Sequence, residues 1–148
     1  MQAQEFLEQI KKINYVFKNK LKEKEQLLEL AGYSSGQDGE RVQSSGSKDR
    51  MAQLVTKAVD VEMKAIQTYI EEQMRIKNEV IEVIEQLPAD EYDVLHLVYV
   101  QGFTIKQTAA IKGISKSWAQ TQHNRGLENV QRILDAKEKL RERNIDDE

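Results

Sequence analysis

Cysteine is absent, and proline occurs once, at Pro88. Without cysteine there is neither a disulfide nor a thiolate metal ligand, and a reducing compartment suits the chain. His96 and His123 are the only histidines, and the carboxylates are scattered, so no metal and no cofactor are expected. Aromatic residues are scarce at 6%, whereas charged residues reach 32%. That balance suits long solvated helices better than sheets. Long apolar runs are missing too. The longest, VLHLVYV at 94–100, is far too short to cross a bilayer. The opening MQAQEFLEQIKKI has no apolar run behind a basic patch, so no secretory signal is expected. No glycine loop followed by Lys-Ser or Lys-Thr is present to cradle a nucleotide phosphate. Acid pairs such as Glu71/Glu72 and Glu82/Glu85 fall on solvated helix faces, and no catalytic residue is expected. These absences point to a cytoplasmic, non-enzymatic, all-α protein.

What is present is helix periodicity. Phe6, Ile10, Ile13, Phe17, Leu21, Leu28 and Ala31 recur at spacings of three, four or seven, a narrow coiled-coil-like seam. Gly32 is its natural stop. A Gly/Ser-rich loop follows at 32–47, longer than the roughly 2–8 residues a helix hairpin needs. It is either a plain connector or a docking segment with Val42 as apolar anchor. Ser47 is placed to cap a second helix, with Asp49 in its first turn. Met51, Leu54, Ala58, Val61, Ala65, Tyr69, Ile76, Val80, Val83 and Leu87 form the second seam, which Pro88 ends. That helix would cover about 40 residues, roughly 60 Å. Residues 1–87 therefore read as a long antiparallel helical hairpin. A second apolar set (Leu7, Val16 and Leu27; Ile66, Ile70, Ile81 and Ile84) exceeds what one mutual seam hides. Self-association, with a dimer favoured, or packing on the C-terminal part is expected.

Residues 88–143 read as a helix-turn-helix domain, and 144–148 as an acidic tail. Asp90 and Glu91 open a short apolar helix that Gly102 closes. Thr104 and Gln107 match a capping box for a helix to about Lys112. Ala109 is small enough for a close helix crossing, and Gly113 supplies the turn. Ser115 can cap a last helix running toward Arg143. Such a helix enters a major groove with its first turns toward base edges. Lys116, Ser117, Gln120, Thr121 and Asn124 are the candidates for that face, with Ser115, Lys106 and Arg125 beside it. Gln pairs two-pronged with adenine, and Lys reaches guanine or phosphate. The whole chain carries −3, yet Val94 to Leu127 holds no Asp or Glu. Lys106, Lys112, Lys116 and Arg125 give that window a formal +4. The expected partner is double-stranded DNA, gripped modestly by one copy. Trp118 reads as packing and His96 as half-buried. His123 either packs beneath the recognition helix or touches phosphate.

The stretch LPADEYDVLHLVYVQGFTIKQTAAIKGISKSWAQTQHNRGL, Leu87 to Leu127, resembles the fourth region of sigma factors. Leu87, Pro88, Glu91, Val94, Leu95, Leu97, Tyr99, Gly102, Ala109, Gly113, Ile114, Ser115, Arg125 and Leu127 carry the likeness. Thr108, Lys112 and His123 stand where apolar residues are usual, and Gln120 and Gln122 where Arg or Lys is common. The departures imply a weaker grip on phosphate. DGERVQSSGSKDRMAQLVTKAVDVE, placed between two helices and ahead of the sigma-like end, resembles an uncharacterised family of phages and prophages of Gram-positive bacteria. That family is itself similar to phage late-gene regulators. The resemblance implies a phage transcription regulator in the cytoplasm of a bacterial host, with host RNA polymerase as a further partner. Nothing resembles the promoter-melting region of a complete sigma factor. A small terminase subunit, or an RNA polymerase partner that binds no DNA, are the alternatives.

Overall fold

The computed structural model describes residues 1–32 and 46–147. The fold is all-α: a helical hairpin followed by a helix-turn-helix. Its helices are α1 (Ala3–Leu30), α2 (Gly46–Ile84), α3 (Ala89–Leu95, continued by a wide π turn over His96–Val100), α4 (Ile105–Lys112) and α5 (Lys116–Asp146). The loop expected at 32–47 lies, from residue 33 to 45, outside the described residues, as do the side chains of Ser47 and Asp49. Among the described residues no helix is long and apolar enough to cross a membrane. The last helix runs on to Asp146, so most of the expected acidic tail is helical.

The chain divides into two compact units, and not at Leu87/Pro88. Unit 1 joins Met1–Asn14 to Arg75–Glu148. Its core gathers Leu7 and Ile10 of α1, Val80, Val83 and Ile84 of α2, Leu87, Val94, Leu95, Val98 and Tyr99 of α3 and its π turn, and Val130 of α5. Leu7, Ile10, Val80, Ile84, Leu95 and Val130 are fully buried. Each such side chain contributes about 1.5–3 kcal/mol relative to exposure. Polar ties fasten the same elements. The Ala3 backbone N–H donates to Gln131 Oε1 at 2.8 Å, satisfying an orphan donor at the start of α1 from a side chain on α5. Asn14 Nδ2 donates to the Val100 carbonyl at 3.2 Å, and its Oδ1 accepts from Lys77 Nζ at 3.2 Å. The beginning of the chain is thus part of the C-terminal body, because the short helices α3 and α4 alone have too little apolar surface to close a core.

Unit 2 is Tyr15–Met74, built from the rest of α1 and the first part of α2. Here the observed seam differs from the expected one. On α2 the covered face is Thr56, Val59, Met63, Ile66, Tyr69, Ile70 and Gln73, so Tyr69 of the expected seam is covered, while Met51, Leu54, Ala58, Val61 and Ala65 point outward. Met51, Leu54 and Val61 are 67%, 64% and 67% exposed. Two apolar rows run along this helix, and periodicity alone does not say which one a neighbour takes. On α1, Lys20 and Lys24 sit half-buried in the seam, whereas Leu21 is exposed. Their methylene stems cover apolar surface while the charges reach out, and Lys20 Nζ lies 5.2 Å from the Tyr69 ring centre.

Candidate nucleic-acid interface

The interface is assembled by α3, α4 and α5. In the π turn the Gln101 N–H donates to the His96 carbonyl at 3.0 Å, five residues back. The extra residue in that turn lets both Val98 and Tyr99 face inward. Gly102 at φ +81° then breaks the helix. Thr104 Oγ1 accepts from the Gln107 N–H at 3.1 Å, and Gln107 Oε1 accepts from the Thr104 N–H at 3.0 Å, so both halves of the capping box form. Gly113 closes α4 at φ +66°, and the Ile114 N–H returns to the Ala109 carbonyl at 3.0 Å. Ser115 Oγ then accepts from the Trp118 N–H at 3.0 Å and starts α5.

Ala109, Ala119, Gln122 and Gly126 form the buried side of the α4–α5 pair. At Gly126 a Cβ would stand 2.9 Å from Leu95 Cδ1 and 3.1 Å from its Cγ, so α5 passes against α3 at a distance only glycine allows. Glu91, buried at the start of α3, accepts from Asn129 Nδ2 at 3.0 Å on both oxygens and fixes the other end of that contact.

The opposite face of α5 carries Ser117, Gln120, Thr121 and Asn124, which share one side at spacings of three, four and seven. All are exposed except Thr121, which is half-buried and donates its hydroxyl to the Ser117 carbonyl at 3.0 Å. Lys116 and Arg125 are exposed beside them, and Lys106 is exposed in the first turn of α4. Ser115 serves as the helix cap. Glu128, four residues beyond Asn124, ends the acid-free face.

Three details were not legible in advance. Lys112 Nζ is held 3.2 Å from Asp93 Oδ2, which removes it from the cations counted toward phosphate. Trp118 is 43% exposed rather than packed away, and the Arg125 guanidinium lies 5.4 Å from its ring centre. His123 packs beneath the recognition face: it stacks on Tyr99 with ring centres 5.6 Å apart, and its Nε2 lies 2.8 Å from the Tyr99 hydroxyl. Burial lowers the His123 pKa below the ordinary 6.5; the hydrogen bond to Asn124 opposes this and the charge of Lys11 adds to it. Burial, helped by Glu8, pushes the Tyr99 hydroxyl up to about 12. Among the described residues no three His, Cys, Asp or Glu side chains are grouped to hold a metal ion.

A short capped helix, a left-handed glycine turn and a second capped helix with a polar outer face define a helix-turn-helix of the DNA-binding type. Residues 83–132 match the family model described as Sigma-70, region 4. No curated protein and no solved structure shows significant similarity to the chain.

Proposed function

We propose that this chain is a phage or prophage transcription regulator that binds double-stranded DNA as a homo-oligomer, acting on late genes in the bacterial cytoplasm. It performs no catalysis and uses no cofactor. The observation that carries the reading is the outer face of α5. Ser117, Gln120, Thr121 and Asn124 stand in one row between Lys116 and Arg125, with no acid before Glu128. Such a row offers hydrogen bonds to base edges with cations beside it for phosphate. The match of residues 83–132 to a sigma region supports a promoter as target and host RNA polymerase as partner. Lys106, Lys116 and Arg125 alone hold DNA weakly, and a linked second copy supplies the missing effective concentration. The exposed apolar row Met51, Leu54 and Val61 on α2 supports that association.

A gel-shift titration against the phage's own promoter DNA tests the site. Lys116→Glu combined with Gln120→Ala abolishes binding while leaving helicity unchanged. Unaltered binding by that variant refutes the assignment to α5.

The same apolar row also favours a second reading, the small subunit of a DNA-packaging terminase, which needs a larger assembly. A ring of eight or more copies on a packaging site supports that reading; a dimer on a promoter supports the regulator.

A further inference from the structure

The Asn124 amide turns its oxygen toward two neighbours on α5. Its Oδ1 accepts from Gln120 Nε2 at 3.0 Å and lies 3.2 Å from His123 Nδ1. With the amide turned this way its oxygen accepts, and the nitrogen that goes with it is a protonated His123 Nδ1. In a neutral imidazole the other nitrogen is then an acceptor. Nε2 faces the Tyr99 hydroxyl at 2.8 Å, so the phenol donates to it. The direction of every hydrogen bond in this relay follows: Tyr99 to His123, His123 to Asn124, and Gln120 to Asn124. Tyr99 is itself fixed, 3% exposed in the core with the Lys11 ammonium 5.0 Å from its ring centre.

We infer that Tyr99 and His123 are positioning residues for base reading, holding the Asn124 amide with its oxygen inward and its Nδ2 donors outward. This rests on the reading of α5 as the DNA-contacting helix. An unconstrained asparagine pairs two-pronged with adenine, offering Oδ1 to N6–H and Nδ2–H to N7. At position 124 the acceptor is already occupied twice. The side chain presents donors, and the base edge that takes two is guanine, through N7 and O6. The relay thus turns an adenine-type residue into a guanine reader.

Nitrogen-detected NMR of the two histidine rings in the free full-length protein tests the relay without DNA. His123 in the Nδ1–H form is the expected result; an Nε2–H form overturns the inference. Selection from a randomised duplex pool tests the consequence. Asn124→Ala first identifies the base pair that position 124 reads. His123→Phe keeps the stacked ring but removes the donor, and Tyr99→Phe removes the hydroxyl that fixes the tautomer. Both variants are expected to lose guanine preference at that pair by about tenfold, toward adenine, while preferences elsewhere in the site stay put. If Asn124→Ala shifts one base pair and the two ring variants leave it unchanged, the relay does not set specificity. If Asn124→Ala shifts none, α5 is not reading bases there, and the functional proposal fails with it.

Discussion

Lys112 at the end of α4 reaches across to Asp93 of α3, with Nζ 3.2 Å from Oδ2 and 4.0 Å from Asp90 Oδ1. The lysine side chain is only 15% exposed. It closes the C-terminal, negative end of α4 and ties that helix to α3. It is therefore a structural cation inside a window whose other cations, Lys106, Lys116 and Arg125, are exposed. Each phosphate contact contributes about −0.9 to the slope of log K against log salt, so Lys106, Lys116 and Arg125 predict about −2.7 per copy, not about −3.6. Lys112→Met should leave the measured slope unchanged, whereas Lys116→Ala should make it shallower by about 0.9. Equal effects from both substitutions would show that Lys112 does reach DNA.

Gly126→Ala pits two effects against each other. Alanine favours a helix interior over glycine by about 1 kcal/mol. The added methyl meets the Leu95 side chain, which is fully buried and must shift to admit it. Overpacking of that kind costs about 1–3 kcal/mol. Net destabilisation is the expected outcome in urea melts. Pairing it with Leu95→Ala should give a loss smaller than the two single losses added, because the second change removes the clash.

Stability should depend on pH at both ends through one pair. The folded state lowers the His123 pKa below 6.5, so the unfolded chain binds the proton more readily. Stability from this group is complete above about 6.5 and is lost as pH falls toward the lowered folded value. Tyr99 is raised from 10.0 to about 12, so its contribution is complete below about 10 and is lost as pH rises to about 12. Melting temperatures measured across pH should show both slopes. The acid slope should shrink in His123→Phe, and the alkaline one in Tyr99→Phe.

The two apolar rows of α2 call for different substitutions. Leu54 and Val61 are exposed, so Leu54→Glu with Val61→Glu should leave helicity intact, convert an oligomer to single chains and weaken DNA binding by about tenfold or more. Val80 is fully buried in unit 1, so Val80→Asp should unfold that body instead. Light scattering and circular dichroism separate the outcomes. An unchanged mass for the double variant removes this row from the assembly.

Local chemistry was readable from the sequence. The Thr104/Gln107 box, the Ser115 cap and the turn at Gly113 each need only residues three or four apart, and each forms where its spacing requires. Ser117, Gln120, Thr121 and Asn124 also share the side of α5 that their spacing gives them. Choices between equals were not readable. Met51, Leu54 and Val61 alternate with Val59, Ile66 and Ile70, and only the neighbouring helix decides which row is covered. Long-range partners were hidden too. Nothing local marks Asp93 as the partner of Lys112, Leu95 as the reason for Gly126, or Tyr99 as the anchor of His123. Thr108 and Gln122 depart from the usual apolar and basic residues, and both are buried with an oxygen that has no hydrogen-bond partner. The structure explains neither choice.

The tie between Ala3 and Gln131 has a consequence for the order of events at the ribosome. The two residues are 128 positions apart, so the first helix leaves the exit tunnel long before its partner is translated. Residues 15–74 form one compact unit of contiguous sequence, so that unit can form while synthesis continues. Leu7 and Ile10 complete their core only when α3 and α5 have followed α2. A nascent chain stalled after Lys112 should therefore have its hairpin and no reading head, and the DNA-reading part becomes competent only when α5 has emerged.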